Sequence, residues 1–169
     1  MTNIRHKNDI YLSFPCLNRH TAWTKSLFVI VALFLLTSDI RAQYLPPMPI
    51  KPLVSGSFAE MRANHFHSGL DLTTSGATGI EVRAVEKGYV SRIKVSAYNY
   101  GYAVYITHPD GNTTVYAHLK KYASKIDEVI RSEQYRRKSF EIDYFPKADL
   151  LPVSRGEVIG YSGNSGSSG

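Results

Sequence analysis

The stretch Asn64-His-Phe-His-Ser-Gly-Leu-Asp71 gathers two imidazoles and a carboxylate around a single glycine. Imidazole nitrogen and carboxylate oxygen are zinc donors, which sit about 2.0 to 2.2 Å from the ion. Gly69, lacking a side chain, is expected to let the backbone bend so that His67 and Asp71 meet on one ion. The pattern also has a plainer use as a surface or core pair. Spacing alone does not choose between His67 and His65, because residues two apart in a strand face the same side. A further imidazole, His118, closes the run Thr113-Thr-Val-Tyr-Ala-His-Leu119, where a period of two puts it on the face of Tyr116. There it could act as general base toward a metal-activated water, or hydrogen-bond at a sheet edge. His108, next to a turn, reads as structural.

These residues need a scaffold, and the spacing of apolar and turn residues predicts a β one. Twelve tyrosines, twelve glycines and eight prolines against a single tryptophan favour turn-rich strands over a helical bundle. Strands are expected at Ile80 to Val85, Tyr89 to Val95, Tyr102 to Thr107, Thr113 to Leu119 and Glu157 to Tyr161. His108-Pro-Asp-Gly-Asn112 carries hairpin-turn chemistry, since proline presets one dihedral and glycine accepts positive φ. The expected fold class is mainly β, an antiparallel sheet with one inserted helix. That helix is predicted to begin near Ser124, with the serine hydroxyl as cap and Asp127 completing a capping box, and to end around Arg136 to Lys138. Ile126, Val129 and Ile130 would share its inner face, and Lys125, Glu128, Arg131 and Glu133 its solvated one.

Leu27 to Leu36 is an unbroken apolar run behind Arg19 and Lys25, too short for a bilayer, which takes about 20 residues. With Ala42 ahead of Gln43 it predicts a secretory signal peptide over 1–42, export to the periplasm or cell envelope, and membrane contact through that leader alone. An uncleaved anchor is the competing use of the run. A proline-rich lead-in over 43–54 follows, with four prolines between Tyr44 and Pro52. Half of the net charge of +6 lies in the leader, and without it 15 basic face 12 acidic residues, so a nucleic-acid partner is not expected. The sole cysteine, Cys16, also lies in the leader, so any metal site downstream draws on His, Asp or Glu.

In combination these segments resemble the lysostaphin-like, or LytM-type, zinc endopeptidases of peptidoglycan. The resemblance spans roughly 55–169 and rests on Gly56-Ser-Phe58, Asn64 to Asp71, Val82-Arg-Ala-Val-Glu-Lys-Gly-Tyr-Val90, Tyr100-Gly-Tyr102, Tyr116-Ala-His-Leu119 and Gly156-Glu-Val-Ile-Gly160. It implies the family's barrel-sandwich hybrid fold, Zn2+ as cofactor, His67 and Asp71 as metal ligands and His118 as a catalytic histidine. The implied reaction is hydrolysis of the peptide crosslinks of peptidoglycan, which are then the substrate. In that family a third ligand and a second catalytic histidine come from a His-x-His strand after a Gly/Ser-rich turn. Here the turn is Tyr161-Ser-Gly-Asn-Ser-Gly-Ser-Ser-Gly169, and the sequence stops there. The expectation is therefore a peptidase domain over 55–169 lacking that strand, inactive by itself and a fragment in preference to an evolved inactive form. The same Gly/Ser stretch also suits a flexible linker.

Residues 120–154, including Phe140-Glu-Ile-Asp-Tyr-Phe-Pro146, exceed the compact family pattern and could shape or regulate substrate access. Two other functions fit parts of the pattern. One is a non-catalytic LytM-type module that binds cell wall or activates a partner wall amidase. The other is a carrier or phosphotransfer domain of related fold, against which the leader argues.

Overall fold

At His108-Pro-Asp-Gly-Asn112 the chain folds back as predicted. Gly111 takes φ +83° and donates its N–H to His108 O at 3.0 Å, while His108 N–H bonds Asn112 O at 2.9 Å. The turn joins β5 (Tyr102–Thr107) to β6 (Thr113–Tyr116), an antiparallel pair that is part of the largest sheet. The structure, a computed structural model, describes residues 44–63 and 65–167; the expected signal peptide and Cys16 lie outside them.

The remaining strands are β1 (Leu53–Gly56), β2 (Asp71–Thr73), β3 (Glu81–Arg83), β4 (Gly88–Val95), β7 (Lys121–Tyr122), β8 (Ile142–Tyr144), β9 (Pro152–Val153) and β10 (Val158–Tyr161). They form three antiparallel sheets: β1-β2, β3-β10-β7, and a larger sheet ordered β6-β5-β4-β8 in which β9 also pairs with β4. The fold is mainly β with a single helix among the described residues, and the sheets do not close into a barrel. No described helix is long and apolar enough to cross a membrane.

A strict period of two along β4 would bury alternate residues throughout, yet Val90, Ile93 and Val95 are the buried ones. The pairing with β5 shifts register between Val90 and Arg92, and this bulge turns Ile93 inward where strict alternation from Val90 would have turned Arg92. Arg92 instead faces out, paired with Asp143 at 2.6 Å and stacked over Tyr105. The core combines these residues with Val104, Ile106, Leu119, Leu151 and Ile159, and with Ile126 and Ile130 of the helix.

The helix, α1 (Ser124–Arg137), corrects the expected cap. Ala123 stands at the N-cap with no side-chain capping bond, and its carbonyl accepts the N–H groups of Ile126 and Asp127. The reason is tertiary: Ala123 N–H is tied to Ile159 O at 3.0 Å, which keeps residue 123 extended and makes Ser124 the first helical residue. Asp127 pairs with Arg131 at 2.7 Å instead of closing a box. Glu133 is likewise not part of an open solvated face, being half-buried and bonded by Arg136 and Arg137. The C-terminus falls where predicted, with Lys138 in the left-handed conformation.

Strand β6 ends at Tyr116, three residues earlier than expected. His118 has φ +57°, so the two-residue period that would align it with Tyr116 is broken. Tyr116 enters the core and accepts the Val85 N–H at 2.9 Å, whereas His118 stays half-exposed.

Candidate metal and catalytic site

His67 closes a small hairpin that begins at Ala59. Ala59 N–H bonds His67 O and His67 N–H bonds Glu60 O, both at 2.8 Å, with Met61 bridged to Phe66. This sets the backbone of His67, and its ring is set separately: Nδ1 lies 3.0 Å from Ser57 O. A carbonyl can only accept, so Nδ1 carries the proton and Nε2 presents its lone pair. That lone pair faces Asp71 Oδ1 at 3.2 Å. Two acceptors turned toward each other need a positive charge between them, either a second ring proton or a metal ion.

Asp71 opens β2, where it pairs with Gly56 of β1. Its second oxygen, Oδ2, is held by Nη2 of Arg62 in a charge-assisted bond that raises the guanidinium pKa still further above its ordinary value. Gly56 makes room for both groups. A Cβ there would lie 2.5 Å from Asp71 Oδ2 and 2.9 Å from Arg62 Nη2. Gly69 carries no such burden: its φ is not positive, and a Cβ would meet only His67 Nε2 at an ordinary 3.7 Å. The glycine that the pair requires is thus Gly56, not Gly69.

The structure brings His67, not His65, to Asp71. Tyr100 connects this pair to His118, because its hydroxyl lies 3.2 Å from Ser68 Oγ and its ring meets the His118 ring edge-on at 6.3 Å. His118 Nδ1 lies 2.8 Å from Ser165 O. The Gly/Ser stretch is accordingly no loose linker over 162–167; it is bonded to the 99–102 loop through Tyr102 N–H to Ser165 Oγ and Ser167 N–H to Asn99 O, both at 2.9 Å. His108 is structural, 3% exposed with Nδ1 at 2.9 Å from Lys87 O and Nε2 at 2.8 Å from Thr114 Oγ1.

Arg62, Ser57, Ser165 and the role of Gly56 were not foreseen from sequence. Gly56-Ser-Phe58 stood among the motifs of the resemblance, but nothing local tied it to Asp71. Arg62 lies nine residues before Asp71, a separation with no strand or helix period to flag it.

The antiparallel β scaffold thus presents a His/Asp pair with the donor types of a metal site, and a second histidine linked to it through Tyr100 and Ser68. Residues 65–135 match the sequence profile of peptidase family M23, and the match supports assigning this chain to the LytM-type M23 peptidases. No curated protein and no solved structure matches significantly. The family is generally zinc-dependent, and His67 and Asp71 fit zinc in donor type and mutual approach. They supply two protein ligands where a catalytic zinc takes three, and the described residues hold no cluster of three or more His, Cys, Asp or Glu.

Proposed function

We propose that the protein is a zinc metalloendopeptidase acting on the peptide crosslinks of bacterial peptidoglycan, exported to the periplasm or cell envelope. The observation that carries this reading is the approach of His67 Nε2 and Asp71 Oδ1, two acceptors 3.2 Å apart, each fixed by its own partner. The M23 match supports the reaction class, and the leader pattern over 1–42 supports export. His67 and Asp71 would hold the metal together with a further ligand. When bound, zinc activates a water and polarises the scissile carbonyl. His118, protonated on Nδ1 toward Ser165 O, offers Nε2 to take the proton of the attacking water. Tyr100, 41% exposed and in contact with Ser68 and the His118 ring, would line the approach of the peptide.

Zinc titration of the chain and its variants tests the ligand assignment. His67→Ala and Asp71→Asn are each expected to weaken binding at least tenfold, while His118→Ala leaves it unchanged. Equal zinc loss in all three variants overturns the assigned roles, and unchanged binding in all three overturns the metal site. With a His-x-His strand fused after Gly169, release of crosslink peptides from purified wall is expected, and His118→Ala should remove it. A fused protein that binds zinc and wall without hydrolysing it would support the non-catalytic module instead.

A further inference from the structure

His118 has a positive φ of +57°, and three more such residues lie in the segments bonded around it: Asn99 at +53°, Gly101 at +61° and Gly166 at +76°. A non-glycine residue held in the left-handed region costs on the order of 1 kcal/mol or more and persists only where its surroundings over-determine it. At His118 they do. Its N–H bonds Tyr100 O at 2.9 Å, and the next residue, Leu119, bonds Tyr102 O at 3.1 Å with its side chain buried in the core. The backbone of residues 118 and 119 is therefore tied to the loop that leads into β5 and to the first residue of that strand.

That same loop anchors the segment on the other side of the ring. Tyr102 N–H bonds Ser165 Oγ at 2.9 Å, Ser167 N–H bonds Asn99 O at 2.9 Å, and Asn99 N–H bonds Ser167 Oγ at 3.1 Å. Gly101 and Gly166 meet backbone to backbone. A Cβ on Gly166 would overlap Asn99 O and the Gly101 amide, and a Cβ on Gly101 would overlap Ser165. Between these anchors the Ser165 carbonyl is aimed at His118 Nδ1, 2.8 Å away.

We propose that the Ser165 carbonyl, locked in place by the Gly166 turn, is the positioning group that fixes His118 as its Nδ1–H tautomer and leaves Nε2 as the proton acceptor. A carbonyl oxygen has no proton to give, so the contact forms only when Nδ1 has one. Free imidazole prefers the opposite tautomer, with the proton on Nε2, which would make His118 a donor at the position where a general base must accept. Residues 165 and 166 thereby act on the chemistry through His118 without touching the substrate. The catalytic use of Nε2 rests on the function proposed above, but the tautomer itself does not.

Nitrogen-15 spectra of the imidazoles in the intact, uniformly labelled protein test this at a pH where the rings are neutral. The His118 signals are identified by their loss in His118→Gln. Nδ1 should resonate as a protonated, pyrrole-type nitrogen and Nε2 as an unprotonated, pyridine-type one. Gly166→Ala should shift the pair toward the reverse assignment. Gly76→Ala, at φ +82° with nothing within 4 Å of the added methyl, imposes a similar backbone cost and should leave His118 unmoved. If Gly166→Ala does not fold, Ser165→Ala replaces it, since that variant keeps the carbonyl and loses the anchor to Tyr102. An Nε2–H His118 in the parent protein, or an unchanged tautomer in the folded turn variant, overturns the proposal. Either result leaves the zinc titration of the His67 and Asp71 variants standing, and failure of that titration leaves the tautomer measurement standing.

Discussion

At the scale of single residues, the His67/Asp71 pair depends on groups that hold it from behind. Ser57 O sets the His67 ring, and Arg62 sets the Asp71 carboxylate by taking the oxygen turned away from His67. Partners of this kind commonly contribute 10- to 100-fold in metal affinity. Gly56→Ala puts a methyl where Asp71 Oδ2 and Arg62 Nη2 now lie, so it is expected to reduce zinc affinity by about that factor in a chelator-competition assay. Gly69→Ala should have little effect on stability, since neither its φ nor its surroundings demand glycine; its thermal midpoint should stay within a few degrees of the parent's. Reversal of these two outcomes would mean that the bend at residue 69, and not the clearance at residue 56, places the carboxylate.

Among the elements, α1 and β7 work as one piece. Tyr122 on β7 is 4% exposed, stacks on Tyr102 at 5.6 Å and donates its hydroxyl to Lys94 O at 2.6 Å. Burial pushes its phenol pKa well above the ordinary value, and burial raises that of Tyr116 too. A phenol whose pKa is higher folded than unfolded binds its proton more tightly in the fold. Stability from this source is complete below the unfolded pKa of about 10 and falls above it, by roughly 1.4 kcal/mol per pH unit for each such tyrosine. Alkaline denaturant titrations should show that loss, and Tyr122→Phe should flatten it while costing about 1 kcal/mol at neutral pH through the lost hydrogen bond to Lys94 O. On α1, Ile130 is 2% exposed, and Ile130→Ala is expected to cost about 2 to 5 kcal/mol in urea unfolding.

For the molecule as a whole, the segment over 120–154 is part of the core and not an appended flap. β8 pairs with Ile93, Lys94 and Val95, and β9 with Gly88 and Tyr89, so together they cover the edge of β4 opposite β5. Ile126, Ile130, Ile142 and Leu151 from this segment are all buried. Excising 124–146 should therefore yield a protein that binds a hydrophobic dye and lacks near-ultraviolet circular dichroism. A folded deletion product with altered turnover would instead support the role in substrate access considered from sequence.

What the sequence determined by itself was local. Alternation gave most of the strands, proline and glycine the hairpin at 108–112, three aliphatic positions the inner stripe of α1, with Ile126 and Ile130 buried and Val129 partly so, and His67, Asp71 and His118 the chemistry worth placing. These features depend on neighbours a few residues away, which a linear pattern records. Tertiary structure decided the rest, because each remaining feature depends on partners that the fold alone brings together. Ala123 became the helix cap because Ile159 holds it. Ile93 turned inward because the register against β5 slips at a bulge. Gly56 clears space for a carboxylate fifteen residues later, and a serine carbonyl 47 positions along the chain meets His118 Nδ1. Spacing could not reveal those contacts, since their energies arise between segments whose separation is set by sheet pairing and not by helix or strand period.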